Sequence, residues 1–248
     1  MKLYTTFNKH IKEIPADELK EAFRGCNKSF IMRSIIMNEK DFLPKNTEER
    51  SLRRVWYATV KPTLDKLGLL TEKDMSEDGL SNWDVDLSRY AVELVRKGLV
   101  TYSALRIMDT SRQRNVPTNS FCTVSSRVYG YQVGTAQCAN VILCTEKDTA
   151  FGLVERIASL YGCSCLSGKG QNAFAATESL LIDMDAGRYS DIYILTMTDY
   201  DPSGFYISDT FRKQVEAMKP VLGITARVHT ERLGITPCQL TETEIQQN

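Results

Sequence analysis

The chain has 248 residues, 42% hydrophobic and 25% charged, the composition of a packed globular protein of one large domain or two small ones. No window approaches the roughly 18 uncharged apolar residues of a membrane helix, and Lys2, Lys9, Lys12 and Glu13 interrupt the start, so a membrane span, signal peptide or anchor is not expected. Net charge is zero, but residues 1–120 carry 21 Lys and Arg against 17 Asp and Glu, whereas residues 121–248 carry 10 against 14; a basic front half suits phosphate and an acidic back half suits a metal.

The first 44 residues read as an N-terminal helical arm. Within them, Pro15 to Phe30 has acidic first-turn residues (Asp17, Glu18) and apolar Leu19, Ala22 and Phe23, which predicts one amphipathic helix. Residues 45–120 read as a second domain. The run Thr47 to Tyr57 predicts a helix capped by Thr47, with Leu52, Val55 and Trp56 on its apolar face. Thr71 to Asn82 reads as a loop, Leu87 to Lys97 as a helix closed by Gly98, and Leu99-Val100 as a short strand, a winged-helix pattern that a generic helical bundle would also produce. Arg106 to Asn119 reads as an interdomain linker.

From residue 121 onwards a third region alternates strand and helix: strands at 141–144, 163–166, 193–195 and 224–228, with helices at 149–161, 174–182 and 205–218. This predicts an α/β domain with a mainly parallel sheet, in which ligands bind beyond the carboxyl ends of the strands. The tail from Thr241 reads as frayed.

Seven cysteines, Cys26, Cys122, Cys138, Cys144, Cys163, Cys165 and Cys238, show no C-x-x-C pair, so they read as reduced, cytoplasmic core residues and not as a disulfide framework or zinc ribbon. His10, in what reads as a frayed start, and His229, near the last strand, lack metal-ligand partners one turn away and read as surface residues.

Three acids fall where a parallel sheet puts its site: Glu146 past the first strand, and Asp199 with Asp201 past the third. Residues two apart in an extended segment point the same way, so the aspartates can converge on a cation that Glu146 approaches from the neighbouring strand. A small set of oxygen ligands suits Mg²⁺, which also offsets their mutual repulsion. Taken singly, the same acids read equally as helix caps, Asp201 above all, since Pro202-Ser203-Gly204 follows it. Ser167-Gly168-Lys169-Gly170 lacks the spacing of a nucleotide-binding P-loop; it either presents N–H groups and the Lys169 charge to a phosphodiester or is an ordinary turn.

Cys144-Thr145-Glu146-Lys147 followed by Thr198-Asp199-Tyr200-Asp201-Pro202-Ser203-Gly204 resembles the Toprim signature, a glutamate after strand one and then D-x-D-P-x-G. Together with the Gly-Lys-Gly turn, it resembles most the family of the topoisomerase VI A subunit and the meiotic double-strand-break protein. In that family a winged helix carries an R-x-x-x-Y element, which Arg53-Arg54-Val55-Trp56-Tyr57 matches with Tyr57 at the nucleophile position. Gly98 to Tyr102 and Ile107 to Arg112 resemble a compact Mini-A-like member; the resemblance covers about residues 45–230.

The resemblance implies Mg²⁺-dependent cleavage of double-stranded DNA by transesterification, with Tyr57 left in a 5′-phosphotyrosyl link. Asp199 and Asp201 would hold the metal, Glu146 would complete its shell or act as acid/base, and Arg53 would steady the phosphate and aid the phenol, whose ordinary pKa is near 10. Arg54, Lys169, Arg112 and Arg114 are candidates for the DNA backbone. The family further implies a homodimer, a separate ATPase subunit of B type, and a DNA-associated location in the cytoplasm. Two alternatives stay open: a Toprim nuclease that uses water, with Trp56 and Tyr57 as a core pair, and a DNA-binding regulator that needs no metal.

Overall fold

In the computed structural model, residues 3–44, 46–71, 82–109, 112–117, 127–128, 131–132, 140–167, 174–234 and 237–242 are described. The chain divides into two compact units, Met1–Asp109 and Thr110–Asn248.

The first unit is helical: α1 (Ala16–Ala22), α2 (Lys28–Phe42), α3 (Leu52–Val55), a π-helical turn (Trp56–Val60), α4 (Lys61–Lys66) and α5 (Asn82–Arg96). The helix expected over Pro15 to Phe30 is broken, because Gly25 takes φ 70°, and Asn27 then starts α2 by accepting the Phe30 N–H at 2.9 Å. Ile31, Met32 and Ile35 of α2 are buried along with Ile11, Ile14 and Leu19, so residues before 45 supply much of this unit's core. His10 is not frayed: its Nε2 lies 3.1 Å from Oε1 of Glu39, a carboxylate that also pairs with Arg50. Burial would raise the Glu39 pKa, but hydrogen bonds from His10 and Arg50, with the Arg50 charge, bring it down to about 2.

Thr47 does not start the next helix. Arg50 is held extended, donating its N–H to Arg106 O at 2.8 Å and accepting from Met108 N at 3.0 Å, so α3 begins at Leu52 under a Ser51 cap. Nor is Leu99-Val100 a strand. Leu99 N–H closes onto Leu94 O and a chain of turns follows through Arg106, leaving Arg50–Ile107 as this unit's only β-bridge among the described residues.

The second unit is α/β: β1 (Arg114–Asn115), a hairpin of β2 (Arg127–Val128) and β3 (Tyr131–Gln132), then β4 (Val141–Thr145), α6 (Asp148–Tyr161), β5 (Ser164–Ser167), α7 (Phe174–Asp183), β6 (Asp191–Met197), α8 (Pro202–Leu222) and β7 (Arg227–Gly234). Five strands form one sheet in the order β1-β5-β4-β6-β7, with β1 antiparallel and the rest parallel, as the strand–helix alternation predicts. Part of the expected linker thus becomes an edge strand, Arg114-Asn115 pairing with Leu166 and Cys165. The last strand begins at Arg227, not Ile224, since Gly223 at φ 69° ends α8 and Ile224 and Ala226 are buried just before the strand. α6 covers the sheet through Phe151, Val154 and Ala158, which pack on Leu143, Cys165 and Met197.

The strand order reverses at β4: the chain passes from β4 to β5 on one side, then crosses to β6 on the other. In open sheets of this order the crevice lies beyond the carboxyl ends of the two strands that flank the reversal, here β4 and β6.

Candidate metal centre at the ends of two parallel strands

Thr145 and Met197 are register partners at the ends of β4 and β6, and Glu146 and Asp199 follow them. The pairing runs one residue further, with Glu146 N–H donating to Met197 O at 3.3 Å. Asp199 N–H then donates to the Glu146 carboxylate (Oε2) at 3.4 Å. The sheet thereby brings the Glu146 carboxylate to the backbone of Asp199, though 53 residues separate them.

Asp201 is engaged elsewhere. Its Oδ1 accepts the Gly204 N–H at 2.5 Å as the N-cap of α8, and Pro202 occupies the first helical position. Among the described residues no three Asp, Glu, His or Cys side chains gather as a metal-binding group. The donor set at the strand ends is nonetheless all oxygen, and one or two carboxylates are what Mg²⁺ takes from a protein while it keeps several waters. The Asp199 carboxylate already holds a cationic partner, the Lys147 ammonium, whose pKa the hydrogen bond and charge of Asp199 raise. Glu146 and Asp199 therefore fit a divalent cation.

The turn that carries Asp199 is tightly built. Thr198 donates its N–H to Gly234 O at 2.9 Å and its hydroxyl to Gly204 O at 3.0 Å. A Cβ on Gly204 would lie 2.2 Å from Asp199 O, so only glycine fits there. Arg232, reaching across from β7, donates from Nη2 to Asp199 O at 2.5 Å and to Thr198 O at 3.3 Å, with its guanidinium 3.9 Å from the Phe205 ring centroid. Neither Arg232 nor Lys147 stood out in the sequence as a site residue. The signal for Lys147 was a cation directly after the acid; Arg232 had none, because only strand pairing brings it to the turn.

Elsewhere in this unit, a cleft of about 1020 Å³ opens between β1, the first half of α6 and the end of α7. Arg112, Arg114 and Arg188 line it together with Asp148, Glu155 and Asp183. Arg114 Nε donates to Asp183 at 2.9 Å, while Asp148 accepts from the Ser167 hydroxyl. Cys144 is buried under the site, and burial pushes its thiol up to about 12, which makes it inert. His229 is far along the strands: it stacks on Tyr193 and pairs at 2.8 Å with Asp191, at the opposite end of β6 from Asp199.

In the first unit, Trp56 is buried and Tyr57 is 46% exposed, so the two are not a core pair. Tyr57 sits on the π turn, where Lys61 N–H closes onto Trp56 O, and single π turns in helices are frequent at functional sites. The Arg53 Cζ and Lys61 Nζ lie 5.8 and 5.7 Å from the Tyr57 ring centroid, so two cations flank it where one was expected. Arg54 is exposed on the same short helix. Lys169 and its flanking glycines lie outside the described residues.

No protein-family model, curated protein or solved structure matches this chain. Among the described residues no helix is long and apolar enough to cross a membrane.

Proposed function

We propose that this protein cleaves double-stranded DNA with Mg²⁺ held at Glu146 and Asp199, and that Tyr57 is the attacking nucleophile. The observation that carries the proposal is the placement of Glu146 and Asp199 at the reversal point of a parallel sheet, their strand ends joined by the Asp199 N–H to Glu146 hydrogen bond. In this reading the second unit is a Toprim domain and the first takes the winged-helix role of a type IIB topoisomerase A subunit, despite the missing strand at Leu99-Val100.

The Tyr57 oxygen attacks a backbone phosphorus, the P–O3′ bond breaks, and the new bond leaves a 5′-phosphotyrosyl end with a free 3′-hydroxyl. Arg53 and Lys61, whose cationic groups lie beside the Tyr57 ring, would steady the attacked phosphate. The metal would stabilise charge on the phosphate, which is where most of the catalysis of phosphoryl transfer lies. Glu146 would take or return a proton at the bridging oxygen. Asp201 would add its second oxygen to the metal shell while the first keeps the helix cap. Arg54, Arg112, Arg114 and Lys169 would hold the DNA backbone, two copies of the chain would cut the two strands, and a separate ATPase subunit of B type would gate strand passage.

The test is supercoiled plasmid with Mg²⁺, stopped with detergent and run with and without protease. Protein-linked 5′ ends that disappear in both Tyr57→Phe and Glu146→Gln are the expected result. Free ends that persist in Tyr57→Phe but need Glu146 would replace transesterification by hydrolysis with water.

A further inference from the structure

The Lys147 ammonium contacts the Asp199 carboxylate, at the position a divalent cation would take on the proposed reading. Two positive groups meet this turn, and they differ in kind. Arg232 binds the backbone carbonyls of Thr198 and Asp199 and is clamped over Phe205, so its charge is fixed in the scaffold. Lys147 binds the carboxylate itself from a side chain that is 57% exposed, at the N-cap position of α6, and nothing in its helix needs the pair. An exposed lysine on a flexible stem is a counter-ion that can leave.

We propose that Lys147 is a displaceable counter-ion: it neutralises Asp199 while no metal is bound, competes with the entering cation for that carboxylate, and on release carries its charge to a phosphate oxygen of the DNA. This rests on the metal-site reading above. A lysine that merely stabilised the site would, when removed, weaken cation binding, because the acid loop would lose its order. A competing lysine has the opposite sign. Removing it leaves Asp199 open to the metal, which then binds more tightly, while cleavage falls because the phosphate loses a cation.

The experiment is Mn²⁺ binding to the full-length protein, followed by electron paramagnetic resonance, for wild type, Lys147→Met, Lys147→Arg and Glu146→Gln. Plasmid cleavage is measured alongside, and circular dichroism checks that each variant is folded. Expected are one site in wild type that is lost in Glu146→Gln, binding tightened roughly two- to fivefold in Lys147→Met, as removal of an exposed ion pair allows, and no tightening in Lys147→Arg. Cleavage by Lys147→Met should fall even at saturating metal. Wild-type binding with Lys147→Met equal to it or weaker would overturn the counter-ion role and leave the metal site standing. Absence of any Glu146-dependent binding in wild type would overturn both.

Discussion

The Asp199 backbone N–H donates to Oε2 of Glu146 at 3.4 Å, so each acid helps to place the other. Asp201, two residues on, holds the first turn of α8 instead through Gly204. Neighbouring acids of one short motif therefore have separable duties.

Asp201→Ala should lower stability by about 1 kcal/mol, the usual cost of losing a helix N-cap. Glu146→Gln should leave the melting temperature nearly unchanged and lower DNA cleavage by about a hundredfold or more, the scale of lost transition-state charge stabilisation. Thermal denaturation and plasmid cleavage on both variants check this; a Glu146→Gln protein that melts far below wild type would make Glu146 structural.

Gly204→Ala reverses an ordinary rule. Within a helix that change stabilises by up to about 1 kcal/mol, but here the new methyl would lie 2.2 Å from Asp199 O and must displace the loop or the helix start. Overpacking of this kind costs roughly 1–3 kcal/mol. Urea denaturation should show a net loss, with cation binding weakened because Asp199 moves.

Trp56→Ala and Tyr57→Phe should separate fold from chemistry at adjacent positions. Trp56 is 4% exposed, so its truncation costs on the order of 3–5 kcal/mol. Tyr57→Phe removes one hydroxyl from a half-exposed ring and should shift stability by no more than about 0.5 kcal/mol, yet abolish the protein–DNA adduct. Denaturant midpoints and detergent-trapped adducts measure the two effects.

The first unit should carry an acid-sensitive lock. Glu39 has its pKa depressed from 4.5 to about 2, so the stability it contributes is present above pH 4.5 and is lost as the pH falls toward 2. The depression corresponds to about 3 kcal/mol. Glu39→Gln should remove that stretch of the acid limb and destabilise the protein at pH 7 by roughly 3–5 kcal/mol, since Arg50 would remain buried without its carboxylate. Urea unfolding of both proteins between pH 2.5 and 7 checks the slope.

The strand–helix alternation after residue 140 was legible from the chain because a parallel sheet buried on both faces leaves short apolar runs such as Val141 to Cys144, set off by amphipathic helices. The candidate acids were legible for a related reason: polar residues directly after such runs have nowhere to sit but the sheet's end. The edge strand Arg114-Asn115 escaped, and the expected last strand at 224–228 began too early and ended too soon, since Arg114-Asn115 and the polar β7 have one side open to water and carry no such run. The N-terminal core escaped as well, because Asn38, Glu39 and Arg50 look like surface residues until His10, Ile11 and Lys9 close around them.

Which of the open readings of the three acids holds was decided by tertiary structure. Spacing made Asp199 and Asp201 a natural pair, but Asp201 is drawn to the helix start, where unpaired N–H groups outbid a second carboxylate, and Glu146 arrives through strand pairing. Arg232 joins through strand pairing as well. Local sequence sets helix caps and apolar periodicity, which act over a few residues, whereas the charges that surround a site are chosen by the order of strands in the sheet.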